Sequence, residues 1–549
     1  MNSPTASALR VRLASAALLG AGLLPTQPLP AQRTTTAPAR TRLVVQLTVD
    51  QMRGDYLDRY ASQYTGGLKW LVTNGAFFTN ATHDHAVTET APGHATLWSG
   101  RHPSQNGIVR NAAGVQDPQT PLLLSSKGGG ASPFRFRGSS LFDWIRSNNQ
   151  WSQALSVSRK DRGAILPLGR AHQHVFWYGL DGNFTTSRYY MDTMPGWVQR
   201  FNARDITKPY LSMLWEPLLP AGAYAEPDSQ PVEAQGRDFR FPHTMNPDPK
   251  KALDSFPEFP WMDEITVAFA LNGLHELKLG LGNGTDVLAV SLSTTDAIGH
   301  RYGPDSKELH DQLLRLDRVL GKFLDSLFVL RDSSTVMLAM SSDHGVQPFP
   351  ALQFPGTDPQ RGKVHIQPLM DTTRSRLIAL GVEGDVIDFE SGMIVLDLSR
   401  LREKAINGDS VVRSLSTAFR KLPGIQSVYR KEDLPALAAA GNVIARRWLH
   451  AIPRNLGAVL AVSLKPFYYW STVNFATHGT PNQLDAWVPI VFAGAPFKAG
   501  RYKTEAHTVD IAPTMAAALG ISPLEAVDGR VLKEALRSAP APARPPQRR

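Results

Sequence analysis

The 549-residue sequence contains no cysteine. Disulfide bonds, zinc–thiolate sites and a cysteine nucleophile are therefore excluded. Long apolar runs are also lacking, since the clearest one, from Leu13 to Leu24, is too short to cross a bilayer as a helix. A chain of this length buries a large core and does not need disulfide bonds to be stable.

The N-terminus has the three parts of a secretory signal. Arg10 and Arg12 precede the apolar run, and small Ala31 follows it as a cleavage point. We therefore expect a signal peptide over residues 1–31 and a periplasmic or secreted mature protein without a membrane anchor. The alternative is an uncleaved amphipathic N-terminus.

The formal net charge is +10, and part of it lies in the Pro/Ala/Arg segment 537–549, which we expect to be a disordered tail. A mild positive charge suits an anionic small-molecule substrate. Nucleic acid is not an expected partner, because no basic stripe is interleaved with aromatic residues. The sequence leaves the oligomeric state open.

Short apolar runs alternate with helical patterns along the chain. The clearest helical pattern predicts a helix over 307–330, one face of which is formed by Leu309, Leu313, Leu316 and Leu320. This alternation predicts an α/β fold with a mostly parallel central sheet flanked by helices. The predicted strands are LVVQLTV (43–49), QALSVS (153–158), DVLAVSLS (286–293), TVMLAMSS (335–342) and WVPIVFAG (487–494).

Two regions interrupt the alternation and suggest how the chain is divided. Residues 204–262 are rich in Pro and aromatics and are expected to be irregular, whereas 346–470 carry their own helix and strand signals and are expected to form an inserted cap. The catalytic core would then consist of 41–203, 263–345 and 471–536.

Polar residues follow the predicted strands at their carboxyl ends, where active sites of open α/β sheets lie. These residues, together with a histidine in a Gly-bearing loop, are Asp50, Asp296, His300, Asp343, His344 and His478. Carboxylates and imidazoles are ligands that zinc takes. Each of them alone has an ordinary explanation, such as a helix N-cap or a surface turn, so the prediction depends on the set.

The segment HAVTETAPGHATLWSG (85–100) offers a nucleophile. Pro92 suits the first turn of a helix, so Thr90 would lie at a helix N-terminus, where free N–H groups favour an anion. The alternative is that Thr90 is only an N-cap.

The motifs together resemble the alkaline phosphatase superfamily and, within it, the PafA-type phosphatases with a Thr nucleophile. In chain order they are VDQMRGDYLDRY, TETAPGHATLWSGRHPSQNGIVRN, SRKDRGAILPLG, TTDAIGHRYGP, SSDHG and ATHGTP. The resemblance implies a phosphate monoesterase with two Zn²⁺ ions. One ion would be held by Asp296, His300 and His478, and the other by Asp50, Asp343, His344 and the Thr90 oxygen.

The resemblance also implies three residues that contact phosphate. Lys160 and Arg162 would grip its non-bridging oxygens, and Asn111 would donate a hydrogen bond. Without the resemblance, a K-x-R triplet is usually a pair of solvated charges. Related phosphodiesterases lack the Lys/Arg pair, so small-molecule phosphate monoesters are the expected substrates.

Four other functions fit the sequence less well. A nucleotide pyrophosphatase/phosphodiesterase with the same metals is the nearest, and the Lys160/Arg162 pair counts against it. A sulfatase usually has a catalytic Cys, which this sequence does not contain. A cofactor-independent phosphoglycerate mutase would use Ser and be cytosolic, which conflicts with the predicted signal peptide. A non-catalytic binding protein would not need Thr90 beside a complete ligand set.

Overall fold

A computed structural model describes residues 40–124 and 129–537, apart from 355, 357 and 359. The predicted signal peptide and nearly all of the predicted tail lie outside these residues. Its strands are β1 Leu43–Val49, β2 Ala76–Thr82, β3 Ala154–Ser158, β4 His174–Tyr178, β5 Phe184–Thr185, β6 Leu214–Trp215, β7 His243–Thr244, β8 Asp286–Leu292, β9 Val336–Ser341, β10 Lys363–Val364, β11 Ile387–Glu390, β12 Met393–Leu396, β13 Ile425–Arg430, β14 Ala458–Leu464, β15 Tyr469–Trp470, β16 Trp487–Gly494, β17 Gly500–Tyr502 and β18 Ala506–His507.

The helices of eight or more residues within the described part of the chain alternate with these strands. They are α1 Gly67–Asn74, α2 Thr90–Ser99, α3 Leu141–Asn148, α4 Trp261–Glu276, α5 Thr294–Tyr302, α6 Lys307–Leu330, α7 Gln367–Ala379, α8 Gly408–Arg420, α9 Val443–Ala451 and α10 Ile511–Leu519. Shorter helices include Tyr56–Arg59, Pro103–Asn106, Asp161–Ile165, Gly196–Asn202, Pro249–Ser255, Pro350–Gln353, Leu398–Glu403, Leu434–Ala439 and Gln483–Ala486. No described helix is long and apolar enough to span a membrane.

The central sheet has ten strands in the order β17-β2-β16-β9-β1-β8-β3-β4-β5, with β18 also paired to β2. Strands β9, β1, β8, β3 and β4 are parallel, while β16 runs antiparallel to β9 and β2. Buried apolar side chains form two clusters, and successive residues of β1 belong to different ones. Val45 lies in the first cluster and Val44 in the second. The predicted α/β fold with a mostly parallel sheet is confirmed.

The register of the central strands brings their carboxyl ends together. Val49 of β1 is opposite Leu292 of β8, and Thr48 is opposite Ser341 of β9. Residues that directly follow these three strands therefore emerge at one edge of the sheet, which is why polar residues there can meet.

The segment 346–470 contains a separate antiparallel sheet with the strand order β11-β12-β14-β13. An apolar cluster that includes Ile394, Val428 and Phe419 packs on this sheet. We keep the name cap for this segment. The segment 204–262 holds only the short strands β6 and β7 and short helices before α4 begins, and the division of the chain predicted above remains a prediction.

Candidate metal centre and nucleophile

Two triads of ligand-type side chains meet at the carboxyl edge of the central sheet. One triad is Asp296, His300 and His478, and the other is Asp50, Asp343 and His344. Within each triad, one donor atom per residue lies within 4.8 Å of the other two. The structure thus brings together all six Asp and His residues that are predicted from the sequence to be metal ligands.

The three histidines of these triads are oriented in the same way. In each ring Nδ1 faces a backbone carbonyl, that of Ala476 for His300, Thr88 for His478 and Gly345 for His344. A proton on Nδ1 leaves the Nε2 lone pair free as a ligand.

Each of these Nε2 atoms points toward the carboxylates. In His300 it lies 3.1 Å from Asp296 Oδ1, in His478 it lies 3.6 Å from the same oxygen, and in His344 it lies 3.4 Å from Asp50 Oδ1. The three backbone contacts therefore fix a set of converging nitrogen donors.

The carboxylates of this centre are buried and repel one another. Burial, followed by the charges of Asp296 and Asp343, raises the pKa of Asp50 to about 7. Oδ2 of Asp50 lies 2.6 Å from the Lys160 ammonium, and the side chains of Asp50, Asp296 and Asp343 are all buried. One ammonium does not balance three buried carboxylates, so the donor set fits additional cations, namely divalent metal ions of the kind bound by His and Asp.

Thr90 begins helix α2 beside this centre. Its side chain is buried, and Oγ1 lies 3.5 Å from His344 Nε2 and 3.3 Å from Lys160 Nζ. Glu89, which precedes the helix, has extended backbone angles, and Pro92 lies in the first turn as predicted. A hydroxyl at this position lies between the N-terminus of a helix and a group of metal ligands, so it is placed to become a nucleophile.

Lys160 lies between the two triads. Its Nζ is 2.6 Å from both Asp50 Oδ2 and Asp296 Oδ2. It follows β3, whose last residue, Ser158, is paired with Ser291 of β8, and this register brings the ammonium to the edge where the carboxylates emerge. The ammonium therefore contacts carboxylates of both triads as well as the Thr90 hydroxyl.

Arg162 and Asn111 are more exposed than Thr90. The guanidinium of Arg162 is 3.6 Å from the Asp161 carboxylate, and no hydrogen bond joins it to Thr90 among the described residues. Asn111 accepts the Ala91 N–H on Oδ1 at 2.8 Å. This contact directs the amide and leaves Nδ2 as a donor for an anion at the start of α2.

Two residues that support the site, Gln51 and His94, were not predicted from the sequence. Gln51 donates from Nε2 to Asp296 Oδ1 at 2.9 Å and has a φ of 63°. His94 Nδ1 lies 3.1 Å from Asp343 Oδ2 and also faces the Thr90 carbonyl. His94 could have been found from its spacing, because it follows Thr90 by four residues on a predicted helix and the two side chains therefore share one face.

Glu89 connects the nucleophile segment to the cap. Its Oε2 accepts the backbone N–H of Asn111, and its Oε1 accepts the hydroxyl of Ser391, both at 2.7 Å. Next to this contact, Arg110 forms an ion pair with Glu390 at 2.6 Å. The cap therefore touches the residue that directly precedes Thr90.

This fold and this pair of triads define a class of protein. A family model described as type I phosphodiesterase/nucleotide pyrophosphatase matches residues 44–455, which is most of the chain. The chain belongs to this family, and the superfamily resemblance carried by the motifs is confirmed.

Individual relatives narrow the comparison. Alkaline phosphatase PhoV of Synechococcus elongatus is 29% identical over 521 residues, covering 91% of this chain and 94% of its own. Alkaline phosphatase PafA of Elizabethkingia meningoseptica is 28% identical and covers 92% of this chain and 96% of its own. These relatives confirm the predicted enzyme class, that of the phosphoric monoester hydrolases.

A crystal structure of wild-type PafA aligns with a TM-score of 0.83 and 26% identity, covering 91% of this chain and all of its own. A crystal structure of a PafA variant, in which one threonine, one asparagine, one lysine and one arginine are replaced, aligns with a TM-score of 0.82 and the same identity and coverage.

Proposed function

We propose that the protein is a secreted or periplasmic alkaline phosphatase that hydrolyses phosphate monoesters with Thr90 as nucleophile and two zinc ions as cofactors. One observation carries the proposal. Three histidine Nε2 atoms, each fixed by a backbone contact at Nδ1, converge with three buried carboxylates beside one buried threonine hydroxyl. The residue types replaced in the PafA variant are those of Thr90, Asn111, Lys160 and Arg162.

Asp296, His300 and His478 would hold one ion, and Asp50, Asp343 and His344 the other, with Thr90 beside the second. Bound zinc supplies positive charge that lowers the pKa of a hydroxyl and stabilises negative charge on oxygen. Gln51 and His94 hold Asp296 and Asp343 in place by the contacts described above, and the Nδ1 contacts orient the three rings.

The reaction proceeds in two displacements. Thr90 Oγ1 gives its proton to water and forms a bond to phosphorus while the bond from phosphorus to the ester oxygen breaks, and that oxygen takes up a proton from water and leaves as the alcohol. Water then attacks the phospho-threonine, phosphate leaves, and the threonine hydroxyl is restored. The Lys160 ammonium, 3.3 Å from Oγ1, is within reach of a phosphate on that oxygen, and Asn111 Nδ2 and Arg162 are the further donors.

The family description favours a second candidate, a phosphodiesterase with the same metals. The two differ in the charge of the group they bind, because a monoester dianion needs more positive charge than a diester monoanion. Lys160 and Arg162 supply that charge and favour the monoesterase.

The test compares p-nitrophenyl phosphate with bis(p-nitrophenyl) phosphate on purified protein of measured metal content. We expect a higher kcat/KM for the monoester, loss of activity in EDTA and its recovery with Zn²⁺. A higher kcat/KM for the diester would favour the second candidate. Full activity after complete metal removal would contradict both.

A further inference from the structure

A third group of ligand-type side chains lies outside the two catalytic triads. It consists of Asp84, His102 and His450, and one donor atom of each lies within 4.8 Å of the other two. The residues come from separate segments. Asp84 follows β2, His102 precedes the short helix Pro103–Asn106, and His450 lies on α9 of the cap.

The three side chains are already arranged face to face. His450 Nδ1 lies 2.8 Å from the backbone carbonyl oxygen of Asp84 and 3.2 Å from its Oδ2, so Nδ1 carries the proton and Nε2 is the ring nitrogen that can bind a metal. The rings of His102 and His450 stack with centroids 4.0 Å apart and an angle of 10° between their planes. Two donors about 2.1 Å from one zinc ion are at most roughly 4.2 Å apart, and imidazole lone pairs lie in the ring plane, so one of the two stacked rings must turn for both to reach the same ion.

A buried nitrogen of His102 that lacks a hydrogen-bond partner indicates that a ligand binds here. His102 is only 5% exposed, and its Nδ1 has no hydrogen-bond partner in the part of the chain that the structure describes. Buried polar atoms are ordinarily paired, and a metal ion is a partner that the ring can accept.

One cation competes for this position. Arg446 approaches the Asp84 carboxylate, with Nε 2.9 Å from Oδ2, and Arg447 lies farther away at 3.9 Å. The Arg446 side chain is 37% exposed, so its guanidinium can move into water and leave the carboxylate open from the solvent side. Asp84 itself is buried and Arg446 contacts it through both Nε and a terminal nitrogen, so a metal ion must displace this guanidinium in order to bind.

We propose that Asp84, His102 and His450 bind a divalent transition-metal ion at a third site, made of residues that neither catalytic triad uses. Two imidazoles and one carboxylate suit Zn²⁺ or a similar ion, whereas Ca²⁺ and Mg²⁺ prefer sets of oxygen ligands. The ion would link helix α9 of the cap to the segment that leads from β2 to Thr90.

The experiment measures bound metal directly and does not depend on activity. Wild-type holoenzyme, the His102→Gln/His450→Gln variant and the control His172→Gln, which changes an exposed histidine elsewhere, are titrated with Zn²⁺ and their zinc content per chain is determined. We expect the double variant to bind one equivalent fewer than the wild type and the control. Added Zn²⁺ should raise the Tm of the wild type more than that of the double variant.

A second variant decides the matter if the double variant does not fold. Arg446→Ala keeps all three ligands and removes the competing guanidinium, so the extra equivalent should bind about two- to fivefold more tightly. Equal zinc content in wild type and double variant, or unchanged zinc affinity in Arg446→Ala when the double variant is unfolded, would overturn the proposal. Loss of phosphatase activity in all three proteins would count against the proposed function and leave the zinc comparison valid.

Discussion

His478 Nδ1 lies 2.7 Å from the carbonyl oxygen of Thr88, two residues before Thr90. A proposed metal ligand from the C-terminal part of the chain and the segment that carries the proposed nucleophile are therefore held together by one contact to the backbone. The effect of a change to either residue is best checked by measuring both metal content and turnover.

Thr90→Ala should lower monoester turnover by at least about a thousandfold, because no other hydroxyl takes the place of Oγ1 in the first displacement. Zinc content should stay close to that of the wild type, since the six Asp and His ligands remain. Steady-state kinetics and metal analysis check both points. Thr90→Ser, which keeps a hydroxyl, should retain far more activity, and equal activity in Ala and wild type would rule out the nucleophile assignment.

Lys160→Ala should reduce kcat/KM for a monoester about 10- to 100-fold, the size expected for one lost charge-assisted contact. The loss for a diester should be smaller, because that substrate carries less negative charge. Lys208→Ala, which removes an exposed lysine elsewhere, is the matched control. Equal losses on both substrates would mean that Lys160 only neutralises the negative charges of Asp50 and Asp296 and does not contact the phosphate.

Gly93→Ala should damage the site through packing. A Cβ at Gly93 would lie 2.0 Å from the carbonyl oxygen of Asp343, so helix α2 or the metal-ligand loop must shift. We expect a loss of about 1–3 kcal/mol in the free energy of unfolding. Turnover should fall about a hundredfold, because a shift of ~1 Å at Thr90 disturbs the reacting geometry.

Gly222→Ala is the control for that change, since a Cβ there meets no atom within 4 Å. Denaturant unfolding and kinetics measure the two effects. Similar results for both substitutions would show that α2 does not need the close approach at Gly93.

Glu233→Gln should make stability less sensitive to pH. Glu233 is 2% exposed, and burial, followed by the charge of Glu308, raises its pKa from 4.5 to about 9. Between these values the folded state holds a proton that the unfolded state has lost, so the wild type loses stability as the pH rises through this window. Because the amide cannot ionise, the variant avoids this loss.

The variant should match the wild type near pH 4 and be more stable by about 1–3 kcal/mol near pH 9, the usual cost of an unsatisfied buried polar group. Denaturant unfolding at the two pH values measures the difference. Glu216→Gln, an exposed control, should show no such gain. A variant that is less stable than the wild type at pH 9 would contradict the assignment.

The meeting of the six Asp and His side chains could be predicted because each Asp follows an apolar strand that the sequence marks clearly. The register of β1, β8 and β9 then does the rest, since it aligns Asp50 with the residues after Leu292 and Ser341. Helix α6 was equally clear, and its predicted range of 307–330 is the observed one.

Other parts could not be predicted, because they depend on contacts between distant segments. The pairing of β12 with β14 joins strands separated by a long stretch of chain, and no local pattern specifies it. Gln51 reaches Asp296 only after β1 and β8 are paired. Glu89 meets Ser391 only when the cap lies against the core.

The contact between Ser391 and Glu89 has a consequence for engineering within this family. A chimera that exchanges the cap for that of a relative, or trims it to open access for bulky esters, would also remove a hydrogen bond from the residue next to the nucleophile. Retaining a hydroxyl donor opposite Glu89, and a carboxylate opposite Arg110, is therefore a design requirement for any such transplant.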